Sequence, residues 1–228
     1  SFASRTSFFG GHAALDASRR FAELCRRFAV EVGLPATATV AAVIDEAVKE
    51  GRTLELRVTG SYEPDHVSLP DKSGYGNTSP AYTFGVHGCC VRVDTATGLT
   101  NIVHYWAAHD SGRVLHPQRA RGQVVGGVIQ GLGFALAEAT SVEDNGHILN
   151  PGYLDNRVAT FADAIPVECI FTSTFEEHGP NGAKTIAEPP IIPVAACVAN
   201  AIHNATGTRQ KRLPMTPERV WRSLQEEP

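Results

Sequence analysis

The sequence predicts an α+β fold, because helical and hairpin patterns occur side by side without the regular strand–helix alternation of a parallel α/β sheet. Residues 13–32 repeat apolar side chains at steps of three and four, which indicates an amphipathic helix. Residues 86–93 and 100–107 are strand-like and flank a turn at 94–98, which predicts a β-hairpin.

The first third of the chain predicts two helices, one strand and a long loop. The helix at 13–32 is followed by a shorter one at 40–50, for which Thr39 is the expected N-cap. Residues 54–58 alternate apolar and polar side chains, which predicts a half-buried strand. Residues 63–83 are rich in Pro, Ser, Gly and Asp, and loops of this length tend to be functional or to pack on a partner.

The remainder predicts three helices and a further strand after the hairpin. A helix is expected over 117–138, a strand over 168–175 and a second helix over 193–205. A glycine-containing loop at 178–184 separates the strand from that second helix. The residues at 216–218 read Thr-Pro-Glu, an N-cap, an N1 proline and a first-turn acid, which predicts the start of a last helix.

Composition excludes several classes of protein. The 228 residues carry a formal charge of −4, so neither a nucleic-acid-binding face nor a membrane-surface face is expected. No stretch approaches the roughly 18 apolar residues of a membrane span. The five cysteines contain no Cys-x-x-Cys pair, which argues against a ferredoxin cluster or a four-cysteine zinc site. We expect a cytoplasmic protein that makes no contact with a membrane.

The helix predicted at 117–138 carries five glycines in its interior. Each costs about 0.5–1 kcal/mol relative to alanine, so their retention needs a reason. Either a ligand or another backbone approaches this helix closely, or the glycines serve tight helix packing alone. These glycines are Gly122, Gly126, Gly127, Gly131 and Gly133.

Glu188 is the acid whose setting is most unusual. It lies in an apolar stretch and precedes Pro189 and Pro190, which stiffen the backbone and forbid a helix there. A carboxylate on a rigid turn, short of water, is expected to have a raised pKa, which suits a general base. The pattern equally allows a carboxylate that pairs with Lys184 or accepts backbone hydrogen bonds to hold the turn.

Other catalytic patterns find little support. The glycines at 126–133 lie in a helix pattern rather than after a strand, and no phosphate-loop lysine follows them. The Gly-x-Ser-x-Gly elbow of serine hydrolases is absent. His104 and His109 are expected to be structural, with His109 and Asp110 able to orient one another. No metal ligand is assigned to the protein itself.

Several stretches, taken in order, resemble the C-terminal half of the molybdopterin-binding large subunit of the xanthine oxidase family of molybdenum hydroxylases. The blocks at 123–133 and 182–190 are specific in combination. Further matches at 3–7 and 11–14, 108–117, and 205–209 and 213–218 extend the likeness over nearly the whole chain. The resemblance implies that residues 1–228 are the C-terminal part of a molybdopterin-binding domain, either as one body or as two subdomains, 1–110 and 111–228.

The resemblance also implies roles for individual residues. Glu188 matches the family's essential glutamate, a general base beside the molybdenum, and Gln123 matches a glutamine that hydrogen-bonds the pterin. The metal is then held by the pterin rather than by protein ligands. The remaining cofactor-binding positions implied by the family pattern are Ala187 and the loop residues Ala3, Ser4, Arg5, Thr6 and Ser7.

The activity implied by the resemblance is hydroxylation of an electron-poor carbon, in an N-heteroaromatic or purine-like substrate, with water as the oxygen source. The cofactor loops that the family carries on its first half are not in this sequence, so the partners expected are a larger molybdopterin-binding subunit, an iron–sulfur subunit and a flavin (FAD) subunit. The alternatives are a non-catalytic structural half of such a complex, or a subunit of a related carbon monoxide dehydrogenase or aromatic-thioester reductase.

Overall fold

A computed structural model of the chain describes residues 4–225, and these residues fall into two compact units. The first unit comprises the chain up to Ala81 together with His178–Asn181, and the second comprises Tyr82–Glu177 and the chain from Gly182 onward. The division lies at residue 81 rather than at residue 110, because both strands of the hairpin pack within the second unit.

The first unit is built from two helices that bury a small apolar cluster. Helix α1 spans Gly11–Glu31 and helix α2 spans Val40–Lys49, which confirms both predicted helices. The Thr39 side chain accepts a hydrogen bond from the backbone N–H of Ala42 (3.2 Å) and caps α2 as expected. The buried residues between the helices are Ala29, Val32, Val43 and Ala47.

The strand predicted at 54–58 does not form, so that prediction is wrong. The side chains of this segment do alternate between half-buried and exposed, and Leu54 packs against the small apolar cluster. A strand also needs a neighbouring strand with which to exchange backbone hydrogen bonds. The alternation of apolar and polar residues therefore indicates that one side of the segment is packed, but it does not indicate that the segment pairs with another strand.

The second unit contains a three-stranded sheet in the order β1-β2-β3. Strands β1 (Phe84–Val93) and β2 (Thr100–Asp110) pair antiparallel, which confirms the hairpin. Strand β3 (Val167–Phe171) pairs parallel to β2, so the fold contains one parallel crossover that the sequence patterns did not indicate. Helices and this small mixed sheet make an α+β fold, as predicted.

Three helices complete the second unit and all three were predicted. They are α3 (Pro117–Leu136), α4 (Val194–Thr206) and α5 (Pro217–Gln225). Helices α3 and α4 pack on the sheet and enclose its apolar core. The fully buried members of this core include Tyr105, Val124, Val128, Val194, Val198, Ile202 and Val220.

Four of the five glycines of α3 form two pairs with different surroundings. A side chain at Gly127 would lie 2.7 Å from Pro190, and one at Gly131 would lie 2.6 Å from Val194, so both positions permit a close approach. A side chain at Gly122 or Gly126 would meet nothing within 4 Å. Tight packing therefore explains the first pair, whereas the second pair faces open space.

Within residues 4–225, no helix combines the length and the apolar character that crossing a membrane requires.

Alanine at two glycines of α3 should have opposite effects on stability. Gly122→Ala should raise the free energy of unfolding by about 0.5–1 kcal/mol, because helix propensity improves and nothing is displaced. Gly131→Ala should lower it by about 1–3 kcal/mol, because the new methyl group overlaps buried Val194. Urea unfolding followed by circular dichroism measures both, and equal effects would contradict the packing described here.

Candidate active site

A cavity of about 580 Å³ opens between α3 and the turn that contains Glu188, within the second unit. Its volume lies in the range of roughly 300–1,000 Å³ that small-molecule sites occupy. The residues that line it are Gln123, Gly126, Gly127, Gln130, Ala187, Glu188 and Ile191. Three of the residues assigned from sequence therefore meet at one cavity.

The turn at Glu188 has the stiffness that the two prolines predict. The carbonyl oxygen of Glu188 accepts a hydrogen bond from the N–H of Ile191 (3.1 Å), which closes the turn over Pro189 and Pro190. Pro190 is fully buried and rests against Gly127 of α3. The turn is thus fixed both by its own backbone and by a close contact with the helix.

Gln123 connects α3 directly to this turn. Its side-chain amide donates a hydrogen bond to the carbonyl oxygen of Ala187, at 2.7 Å. The contact fixes the residue immediately before Glu188. A side chain assigned to cofactor recognition therefore also holds the segment that carries the candidate base.

Glu188 is exposed in this chain, contrary to the expectation of a carboxylate short of water. The chain supplies one wall of the cavity and leaves its opposite side uncovered by the described residues. Residues 4–225 therefore leave Glu188 accessible to water. The ammonium of Lys184 forms an ion pair with the carboxylate of Asp110, at 2.6 Å.

The predicted cofactor loop lies in the first unit. Ala3 falls outside the described residues. Ser4 has a positive φ of 54°, a conformation that costs energy for a residue other than glycine and is often found at functional sites. Thr6 and Ser7 begin a short π-helix, Thr6–Gly10, which the sequence patterns did not predict, and both side chains are exposed. The guanidinium of Arg5 lies over the Phe9 ring, 5.3 Å from its centre.

Four lining residues were not assigned from sequence, namely Gly126, Gly127, Gln130 and Ile191. Gly126 and Gln130 belong to the same face of α3 as Gln123, since residues three and four apart are neighbours on a helix surface. The i, i+3, i+7 spacing from Gln123 was the signal that could have found them. Two amide side chains and a glycine that leaves open space suit a polar heterocycle such as a pterin, so the residues present fit this group.

Three polar side chains of β1 and β2, those of His109, His87 and Tyr105, are linked by hydrogen bonds in the second unit. The Nε2 atoms of His87 and His109 are 2.8 Å apart, so one ring donates a hydrogen bond to the other, and Nδ1 of His87 is 2.9 Å from the Tyr105 hydroxyl. His109 is fully buried, and its Nδ1 has no hydrogen-bond partner among the described residues. These rings are structural in character.

The predicted orientation of His109 by Asp110 is wrong. Neighbouring side chains of a strand point to opposite faces, so His109 turns toward His87 while Asp110 turns toward Lys184. Within residues 4–225, no three His, Cys, Asp or Glu side chains are grouped in a way that could hold a metal ion.

Comparison with known proteins identifies relatives along the whole chain. A family model described as a molybdopterin cofactor-binding domain matches residues 1–165. The chain is 36% identical over 169 residues to the xanthine dehydrogenase molybdenum-binding subunit of Escherichia coli, covering 73% of this chain and 22% of that protein. It is 29% identical over 238 residues to subunit gamma of the 6-hydroxypseudooxynicotine dehydrogenase complex of Paenarthrobacter nicotinovorans, covering 99% and 30%.

A solved structure shows the same fold. The aldehyde oxidoreductase from Desulfovibrio gigas superposes with a TM-score of 0.83 at 28% sequence identity, over 99% of this chain and 24% of that one. The chain therefore spans between 22% and 30% of the length of these relatives.

The buried histidines should make stability depend on pH. Burial, reinforced by the neighbouring His109, lowers the pKa of His87 to about 4, and burial lowers the pKa of His109. Because the unfolded chain binds these protons more tightly, stability should be complete above about pH 6.5 and decline as the pH falls toward 4. The decline should not exceed about 1.4 kcal/mol per pH unit for each histidine.

Urea unfolding between pH 7 and pH 4 measures this slope. His87→Gln should make it shallower, since one titrating group is removed, whereas His147→Gln, at an exposed histidine, should leave it as in the wild type. A His87→Gln slope equal to that of the wild type would contradict the assignment.

Proposed function

Since the chain belongs to the molybdopterin cofactor-binding domain family, we propose that it is part of the molybdopterin-binding subunit of a multi-subunit molybdenum hydroxylase, with Glu188 as general base. The observation that carries this proposal is the convergence of Gln123, Ala187 and Glu188 on one cavity. Gln123 and Glu188 lie 65 positions apart in sequence, and the fold joins their segments through the hydrogen bond from Gln123 to Ala187.

Different residues of this chain would bind the cofactor in different ways. The amides of Gln123 and Gln130 would hydrogen-bond the pterin, and the bare surface at Gly126 would leave room for it. The loop from Ala3 to Ser7 would contribute backbone groups and hydroxyls. When bound, the cofactor supplies a molybdenum centre that accepts the electrons removed from the substrate.

Glu188 would act by accepting a proton at its carboxylate. The stiff turn fixes the backbone from which this side chain extends, and proton transfer requires such fixed geometry. The exposure of Glu188 in this chain supports the presence of a covering partner, because a general base gains strength when water is excluded. We assign that cover to a larger molybdopterin-binding polypeptide.

The proposed complex also contains an iron–sulfur subunit and a flavin subunit, which would carry electrons away, and it is cytoplasmic. The proposed substrate is an N-heteroaromatic or purine-like compound. The name of the Escherichia coli relative, a xanthine dehydrogenase subunit, supports this class. The competing hypothesis is that the chain has a purely structural role in the same complex. Substitution of Glu188 distinguishes this role from a catalytic one.

Glu188→Gln in the complete complex should lower kcat by about 10²–10⁴-fold, the usual contribution of a general base. The amide keeps the shape of the side chain but cannot accept the proton. Molybdenum content and subunit composition should be unchanged. Steady-state kinetics and metal analysis of the purified complex make the measurement.

Glu177→Gln is the matched control, because Glu177 is an exposed glutamate that does not line the cavity. Its kcat should stay within twofold of the wild type. Wild-type turnover in Glu188→Gln would support the structural role instead.

Filling the cavity should prevent cofactor binding. Gly126→Leu places a side chain into the space that the pterin is proposed to occupy, so molybdopterin content should fall at least tenfold. Gly122→Leu is the control, because it is an open glycine of the same helix that does not line the cavity. Equal cofactor content in both variants, measured by pterin fluorescence after oxidation, would contradict the assignment.

A further inference from the structure

Asp110 and Lys184 form an ion pair that is mostly removed from water. The ammonium of Lys184 lies 2.6 Å from the carboxylate of Asp110, and the two side chains are only 10% and 14% exposed. The same carboxylate accepts hydrogen bonds from the N–H of Gly112 (3.0 Å) and from the Thr174 hydroxyl. Burial raises the pKa of Asp110, but the hydrogen bonds from Lys184 and Thr174 outweigh it, so the net pKa is lowered and the group is charged.

The backbone around this pair is joined as well. The N–H of Lys184 donates to the carbonyl oxygen of Ser111 (2.8 Å), and the N–H of Arg113 donates to the carbonyl oxygen of Gly182 (2.7 Å). Gly112 has a φ of +63°, and a side chain there would lie 2.8 Å from the backbone nitrogen of Lys184. The segment that begins at Gly182 is therefore fixed to the end of β2.

This fixed segment leads directly to the candidate base. The hydroxyl of Thr83 donates to the carbonyl oxygen of Thr185 (3.1 Å), and Gln123 donates to that of Ala187. Hydrogen bonds thus hold the chain at successive points between Lys184 and Glu188. The Lys184–Asp110 pair adds a contact between full charges at the start of this segment.

Stability alone is a poor explanation for such a pair. A buried ion pair loses the hydration of both charges, and its replacement by apolar side chains of similar size is often neutral or stabilising. The pair does fix the distance between Asp110, at the end of β2, and Lys184, which lies four residues before Glu188.

We propose that Asp110 and Lys184 are positioning residues for Glu188, and that their ion pair sets the register in which residues 182–188 present the carboxylate at the cavity. This inference rests on the proposed function of Glu188. Neither Asp110 nor Lys184 is proposed to contact substrate or cofactor.

The test compares single and double variants in the complete complex. Lys184→Met leaves a buried carboxylate unpaired, so both the melting temperature and kcat should fall, the former by about 5–10 °C. Asp110→Asn combined with Lys184→Met removes both charges, and the melting temperature should return to near that of the wild type. The kcat of this double variant should nevertheless remain lowered by tenfold or more, with KM changed less than threefold.

Hydrogen exchange of residues 185–191 provides a readout independent of turnover, and it should be faster in the double variant. Arg222→Gln is the control, since it breaks an exposed ion pair with Glu218 elsewhere in the second unit. This variant should change neither the hydrogen exchange of residues 185–191 nor kcat. A stable double variant with wild-type exchange overturns the positioning role, whatever its kcat. Glu188→Gln, measured in parallel, tests the proposed function separately. Wild-type turnover in that variant would refute the role of Glu188 as general base, whereas the hydrogen-exchange result would still decide whether the Asp110–Lys184 pair positions residues 182–188.

Discussion

The candidate site depends on how closely the turn at Glu188 approaches α3. Gly127 permits this approach, because a side chain there would collide with the buried ring of Pro190. The same approach brings Gln123 within hydrogen-bonding distance of the Ala187 carbonyl. Gly127 thereby helps to fix the position of the turn that carries Glu188, and Gly126, one residue earlier, leaves open space in the cavity.

Much of this arrangement could be predicted from local signals. Thr39 marked the start of α2, and the two prolines after Glu188 marked a stiff turn, because caps and prolines act within a few residues of themselves. The glycine content of α3 predicted a close approach without saying to what. The family resemblance contributed Gln123, and for Glu188 it favoured the role of general base, which the local pattern had left open.

What the sequence did not predict depends on contacts between distant residues. Lys184 and Asp110 are 74 residues apart, and the sequence analysis considered only Glu188 as a partner for the lysine. The segment at 54–58 had the alternation of a strand but no partner strand among the described residues. The exposure of Glu188 likewise depends on which atoms cover the cavity, a property that no local pattern encodes.

A crystal structure of the assembled complex with bound molybdopterin would show whether this cavity holds the cofactor. The cofactor should occupy the space beside Gln123, Gly126 and Gln130, and a partner polypeptide should enclose the Glu188 carboxylate with its oxygens directed toward the molybdenum. A cofactor bound elsewhere, or a Glu188 side chain that remains in bulk solvent in the assembled enzyme, would contradict the proposed function.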